Sequence, residues 1–277
     1  MNQKPVFPSL EPRKISWCSN ATNPETPILS SVVSAFRSGI MKNMFTLTDG
    51  KVYGTSEVGD RFLTYSRGVS LFKKRMEVFR AIVEGIPVVK ELGQSSRANV
   101  LKNVSFIYST VFCLFINMSI NKNPGRVYRT PDLYFDLDQA KVGSHISSAD
   151  HSPPGQMQGL TIISKQILEN FTHIATSVQS LTKEVLKSDE DLAALLIICM
   201  IHSNGSATQH ESYGEIQRLS AVWKELDFIY RTTHRRPSTW GNLLMLTSAV
   251  VTTTNDTADC AKNLNIFFNG NLRKDLD

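Results

Sequence analysis

The chain lacks the short signatures of the common enzyme chemistries. It has no G-x-S-x-G elbow, no phosphate-cradling G-x-x-x-x-G-K and no H-E-x-x-H zinc helix. Cysteine is scarce: Cys18, Cys113, Cys199 and Cys260 lie far apart without a C-x-x-C pair, which argues against a zinc module or a disulfide framework. Cys113 and Cys199 sit inside apolar runs, where the thiol behaves as a small hydrophobe, so a reducing compartment is expected. No uninterrupted apolar run reaches the roughly 20 residues that span a bilayer, and the opening MNQKPVFPSLEPRK carries no signal-peptide stretch. The expectation is an intracellular protein without a membrane partner, in which Asn-x-Ser/Thr triplets such as Asn170 to Thr172 are chance matches.

An excess of one charge is also lacking. Thirty Lys and Arg against 25 Asp and Glu leave +5, and the basic residues are scattered. Their densest groups, Lys73-Lys74-Arg75 and Arg235-Arg236, read as solvated helix faces or ends and not as a phosphate-binding patch. What remains is an ordinary globular composition, 41% apolar and 20% charged. His145, Asp150 and His151 are the nearest approach to a catalytic cluster, but they fall in a Ser- and Pro-rich stretch where a rigid site is hard to build. His173 and His202 flank apolar helical segments and read as hydrogen-bonded helix residues. No paired carboxylates stand out, so the residues argue for binding over catalysis, with no cofactor or metal.

Two stretches interrupt an otherwise helical pattern. Residues 1 to about 27, with Pro5, Pro8, Pro12, Pro24 and Pro27, read as a tail leading into one domain over 28–277. From Asn121 to Gly159, RVYRTPDLYFDLD supplies one or two short strands, and the remainder, about 139–159, is a Ser/Pro/Gly-rich loop. Elsewhere Phe72, Met76, Phe79, Val83 and Ile86 form a stripe on a helix that should stop near Pro87. Ile216, Leu219, Trp223, Leu226 and Tyr230 repeat that stripe, with Glu215, Gln217, Arg218, Lys224 and Glu225 on other faces. Val104 to Ile116 and Leu192 to Ile201 are apolar on every side and must be covered on every side. The fold expected is all-α, a three-layer antiparallel helical sandwich with a small β-turn. Ser188 before Asp189-Glu190-Asp191 should cap one helix, and Ser95 or Ser96 another.

Three segments carry a resemblance. IPVVKELGQSSRANVLKN, from Ile86, resembles the nuclear receptor signature in which a helix ends at Pro and Leu-Leu-Lys opens the next, here Pro87, Leu92, Val100, Leu101 and Lys102. SDEDLAALLIICMI, from Ser188, is similar to the buried eighth helix of that family, and TWGNLLML, from Thr239, to the start of its tenth. Their order and spacing agree with nuclear receptor ligand-binding domains, closest in character to hepatocyte-nuclear-factor-four-like receptors and divergent nematode-type relatives, over roughly Gly59 to Phe268. A chance match by another large helical enzyme or scaffold, including helix-pair repeats, is the competing reading, although no period of 30 to 50 residues is present.

The resemblance implies a ligand cavity lined by Phe72, Arg75, Phe106, Thr110 and Cys113, with Ile116 where the family's anchoring arginine stands. Bulky Phe72 and Phe106 are expected to fill much of it. It also implies a coactivator groove with Glu84 at the place of the clamping lysine and Lys102 as the second basic position. The segment after NLNIFFNG lacks the usual activation-helix pattern. Dimerisation, homo- or heterotypic with a nuclear receptor, would use Trp240, Leu243, Leu244 and Leu246. The function implied is transcription regulation in the nucleus by a dimerising interaction module with possible coregulator partners and a possible lipophilic ligand. With too few paired cysteines for the family's zinc modules, no direct DNA binding by this chain is expected. The second reading is a ligand-responsive receptor domain truncated at its activation helix.

Overall fold

Pro27 stands at the first turn of α1 (Pro27–Lys42), where a missing backbone N–H costs nothing. Leu29, Val32, Val33, Phe36 and Ile40 then fall on one buried face. A computed structural model describes residues 24–50, 61–62, 65–120, 125–138, 165–166, 169–170, 172–202, 220–232 and 237–267. The chain is mostly helical, with one small sheet. Residues 1–23, the stretch 139–159 with His145, Asp150 and His151, the residues Ile216 and Leu219, and the segment after Phe267 lie outside the described residues.

After the short α2 (Met44–Leu47) and strand β1 (Arg61–Phe62) comes α3 (Tyr65–Glu84), which stops three residues before Pro87, as the Pro requires. Phe79, Val83 and Ile86 are fully buried, whereas Phe72 and Met76 are only half-buried. Gly39 of α1 meets α3 closely: a Cβ there would lie 2.3 Å from Ile82 Cγ1, so only glycine permits the approach. Pro87 opens α4 (Pro87–Lys90), and α5 (Gln94–Ile120) follows. Ser95 and Ser96 lie inside the first turn of α5 and not at its cap, because the helix starts at Gln94, two or three residues earlier than a serine cap would place it.

Strands β2 (Arg126–Thr130) and β3 (Leu133–Asp136) form an antiparallel hairpin with an irregularity between Tyr128 and Thr130, and β1 adds to β3 in parallel, giving the order β1-β3-β2. Asn117 of α5 fastens the hairpin as another strand would. Its Nδ2 donates to the Tyr128 carbonyl and its Oδ1 accepts the Tyr128 amide, both at 2.6 Å.

A π-helical turn (Ile174–Val178) runs into α6 (Gln179–Val185). The next helix, α7 (Asp189–His202), starts on the expected cap. Asp191 N–H donates to Ser188 Oγ at 3.2 Å, and Asp191 Oδ2 accepts the Ser188 and Lys187 amides at 3.0 and 2.9 Å. Leu192 to Ile201 are all buried. The helix packs against α1, α5, and two later helices, α8 (Ser220–Thr232) and α9 (Pro237–Phe267). Arg37 of α1 forms an ion pair with Asp189 at its start.

On α8 the buried stripe is Val222, Leu226 and Ile229: Leu226 is buried as expected, but Val222 and Ile229 take the places of Trp223 and Tyr230, which are exposed. Both sets step by three and four residues, and periodicity alone cannot choose between neighbouring stripes. Glu225, expected on a polar face, is buried and occupied in capping α1.

By length and composition α5 is apolar enough to cross a bilayer, but 72% of the relevant window is buried inside the fold, against α3, β2, α6, α7 and α9. Its apolarity is that demanded of a core helix.

Candidate functional site

α3, the first half of α5 and the second half of α9 leave a cleft of about 620 Å³ between them. One wall is aromatic, because Phe72 and Phe106 meet edge to face with ring centroids 5.2 Å apart. Met76, Ile107 and Val251 continue the apolar lining. Three exposed cations, Arg80, Lys102 and Lys262, border it, and Lys262 holds Asp259 at 3.1 Å. Asn103 also lines the cleft, and its Nδ2 is buried without an acceptor. The volume and the mix of apolar wall with few polar groups are those of a small-ligand or peptide site.

The five expected ligand contacts divide between this cleft and the core. Phe72 and Phe106 line it. Arg75 and Cys113 are buried behind, and Thr110 stands at the base, its hydroxyl 3.0 Å from that of the lining residue Thr254. The Arg75 guanidinium is spent inside the protein. Its Nε and Nη2 donate to the Leu47 carbonyl at 3.1 and 2.8 Å, Nη2 also to the Arg129 carbonyl, and Nη1 to Cys113 Sγ at 3.2 Å. It also lies over the Phe112 ring, 5.5 Å from the centroid. Burial pushes its pKa down from the ordinary arginine value, partly offset by Cys113 and Asp49. Arg75 thus ties α2, α3, α5 and β2 together and has little capacity left for a ligand carboxylate. Ile116 is wholly buried in the hydrophobic core.

Glu84, the last residue of α3, is exposed and does not line the cleft; Lys102 does. The four residues expected at a dimer face also divide. Leu243 and Leu246 are fully buried, while Leu244 is 42% exposed and Trp240 half-buried. Trp240 packs edge to face on Tyr230, centroids 5.4 Å apart, and Met245 beside Leu244 is 62% exposed. The outward surface is therefore Tyr230, Trp240, Leu244 and Met245, with Trp223 two turns back on the same face of α8.

Sequence reasoning did not name Arg80, Lys262 or Thr254. Val251, Thr254, Asn255, Ala258 and Lys262 recur at helical spacing and so share a face of α9, but their mixed chemistry gives no apolar stripe to notice. Among the described residues no group of three His, Cys, Asp or Glu is placed to hold a metal ion. His173 borders a second cleft, with Glu169, Asp256 and Asp259 in its lining. No protein-family model matches the chain, and no curated protein is significantly similar to it.

Proposed function

We propose that the chain is a nuclear-receptor-like ligand-binding-type domain acting in the nucleus as a dimerisation and interaction module of transcription regulation, and not an enzyme. The observation that carries the proposal is the exposed Tyr230, Trp240, Leu244 and Met245 surface at the junction of α8 and α9, the helix that opens on TWGNLLML. Large apolar side chains grouped on a surface are a liability unless a partner covers them. The element order supports the same reading: α3 ending before Pro87, a long buried helix leading into a short hairpin, a buried helix after a Ser-Asp cap, and a long terminal helix. On this reading α5 and α7 form the middle of a three-layer antiparallel sandwich. An exposed apolar patch of this kind suits a two-fold dimer, either of this chain or with a related receptor.

Sedimentation velocity of the full chain tests it. A dimer at micromolar concentration that dissociates in Leu244→Asp or Met245→Asp supports the reading. A strictly monomeric chain for which no related-receptor partner is recovered overturns it.

The cleft favours a second reading, a ligand-responsive domain. Its aromatic wall and bordering cations suit an amphipathic anion, although Arg75 is engaged internally. Native mass spectrometry separates the two. A stoichiometric lipid supports the ligand-responsive domain, and a bare chain supports the interaction module.

A further inference from the structure

Arg235-Arg236 is the only pair of adjacent arginines in the chain, and in sequence it stands three and two residues before Ser238. Ser238 is the second residue of α9, after Pro237 at the first helical position, and it is exposed. A terminal turn frays readily, so presenting Ser238 in extended form to another protein unwinds the end of α9 and leaves the rest in place. Met245, 62% exposed, stands seven residues on, two turns along the same helical face, at a spacing of about 10 Å. Gly241 lies between them, exposed, and a Cβ there would meet nothing within 4 Å. Ser238 therefore stands on open surface at the edge of the apolar patch that Tyr230, Trp240, Leu244 and Met245 form.

Two arginines ahead of a hydroxyl are a charge pattern that a protein kinase can read, because each guanidinium pairs with a carboxylate of an acidic substrate groove through two hydrogen bonds at once. Thr239 and Ser16 fit that pattern less well. Thr239 has an arginine three residues before it but a proline two before, and it is half-buried. Ser16 follows Arg13-Lys14, and lysine cannot make the bidentate pair.

We propose that Ser238 is a phosphorylation site for an arginine-reading protein kinase, and that the phosphate weakens association through the α8–α9 surface. In the transfer Ser238 Oγ attacks the γ-phosphorus of ATP, the bond from that phosphorus to the bridging oxygen breaks, ADP leaves, and the hydroxyl proton passes to the base of the kinase. The product carries a charge of about −2 on the face of Met245. In a two-fold pairing each copy brings the same charge to the same surface, where it is desolvated and repelled by its equivalent. The assignment of the site stands on Ser238 itself, and its effect on association rests on the dimerisation reading above.

Incubation of the full chain with MgATP and the catalytic subunit of cyclic-AMP-dependent protein kinase, an enzyme of this specificity, tests both parts, read by peptide mass mapping and sedimentation velocity. Phosphate should appear at Ser238, at a rate that falls about tenfold in Arg236→Ala, the loss expected for one charge-assisted pair. Ser238→Ala removes an exposed hydroxyl, so it should melt as the parent does and take up no phosphate at that position. The phosphorylated chain should dissociate at about tenfold higher concentration than the untreated one, and phosphatase should restore it, whereas kinase-treated Ser238→Ala should associate as before. No phosphate at Ser238, or transfer to Ser16 or Thr239 instead, overturns the site. An untreated dimer that keeps its affinity once phosphorylated overturns the effect on association. A chain already monomeric before treatment overturns dimerisation and with it that effect, while phosphate at Ser238 still upholds the site.

Discussion

Glu225 accepts the backbone amide of Leu29 at 2.8 Å, and that of Ile28 at 3.0 Å, across 196 residues of sequence in the first case. Thr26, at the cap position of α1, makes no side-chain capping bond, so the free N–H groups of the first turn are satisfied by a carboxylate from α8. The helix dipole favours that charge as well. Glu225→Ala should therefore lower the unfolding free energy by about 2 kcal/mol, as for a buried hydrogen bond to a charged acceptor. Urea denaturation measures it. Glu184→Ala, an exposed glutamate of α6, is the control, and an equal loss there would remove the capping role.

Arg75 is the corresponding joint on the other side of the fold. Its guanidinium reaches two carbonyls, a thiol and an aromatic ring from three other segments, α2, α5 and β2, and none of its hydrogen bonds goes to a carboxylate. Removing it orphans the Leu47 and Arg129 carbonyls in the interior. Arg75→Met should cost about 3 kcal/mol. Arg75→Lys should be no better, because one ammonium cannot reproduce the planar set of donors. Recovery of most of the stability by lysine, seen in the same denaturation curves, would show that only the charge matters.

The parts of this fold legible in the sequence were those whose cause is local. The stripe through Phe79 and Val83, the stop before Pro87 and the Ser188 cap each depend on residues within a few positions, and each appears where expected. Burial of Val104 to Ile116, except for Phe106 at the cleft, and of Leu192 to Ile201 followed from apolarity on all faces. What escaped was set by distant partners. Nothing near Glu225 signals that it will meet Ile28, and nothing near Asn117 signals its pairing with Tyr128. The two-residue β1 exists only because β3 is beside it. The same limit divides the expected site. Phe72 and Phe106 were named through the resemblance, as bulky residues expected to fill a cavity, and they border a cleft. The commitment of Arg75 to carbonyls of α2 and β2 depends on segments that only the tertiary fold assembles.

On the proposed dimer reading, the start of α9 separates association from stability within four residues. Leu243 and Leu246 are fully buried, and Leu244 and Met245 point outward. Leu243→Ala should cost about 3 kcal/mol through the cavity it leaves. Leu244→Ala should cost under about 0.5 kcal/mol, as at an ordinary surface position, yet weaken self-association. Thermal melts paired with sedimentation equilibrium read the two effects independently. A Leu244→Ala chain that melts like Leu243→Ala would mean that Leu244 is packed within the monomer.

Thiol reactivity reports the two contrasting cysteine environments. Burial, reinforced by Asp256 and Asp259, raises Cys260 to about 11, and burial alone raises Cys199 to about 12. Only the thiolate attacks an alkylating reagent. At pH 8 the thiolate fraction of Cys260 is about a hundredfold lower than at the ordinary value, and the greater nucleophilicity of a high-pKa thiolate gives back about tenfold. Iodoacetamide labelling of Cys260, followed by peptide mass mapping, should run about ten times slower in the native chain than in urea, and accelerate as pH rises toward 11. Asp256→Asn with Asp259→Asn should bring the thiol part of the way back toward its usual range and speed labelling at pH 8. Cys199, wholly buried between helices, should label only as fast as the protein unfolds. Native labelling of Cys260 at the urea rate, unchanged by the double variant, would mean that neither burial nor the α9 carboxylates act on it.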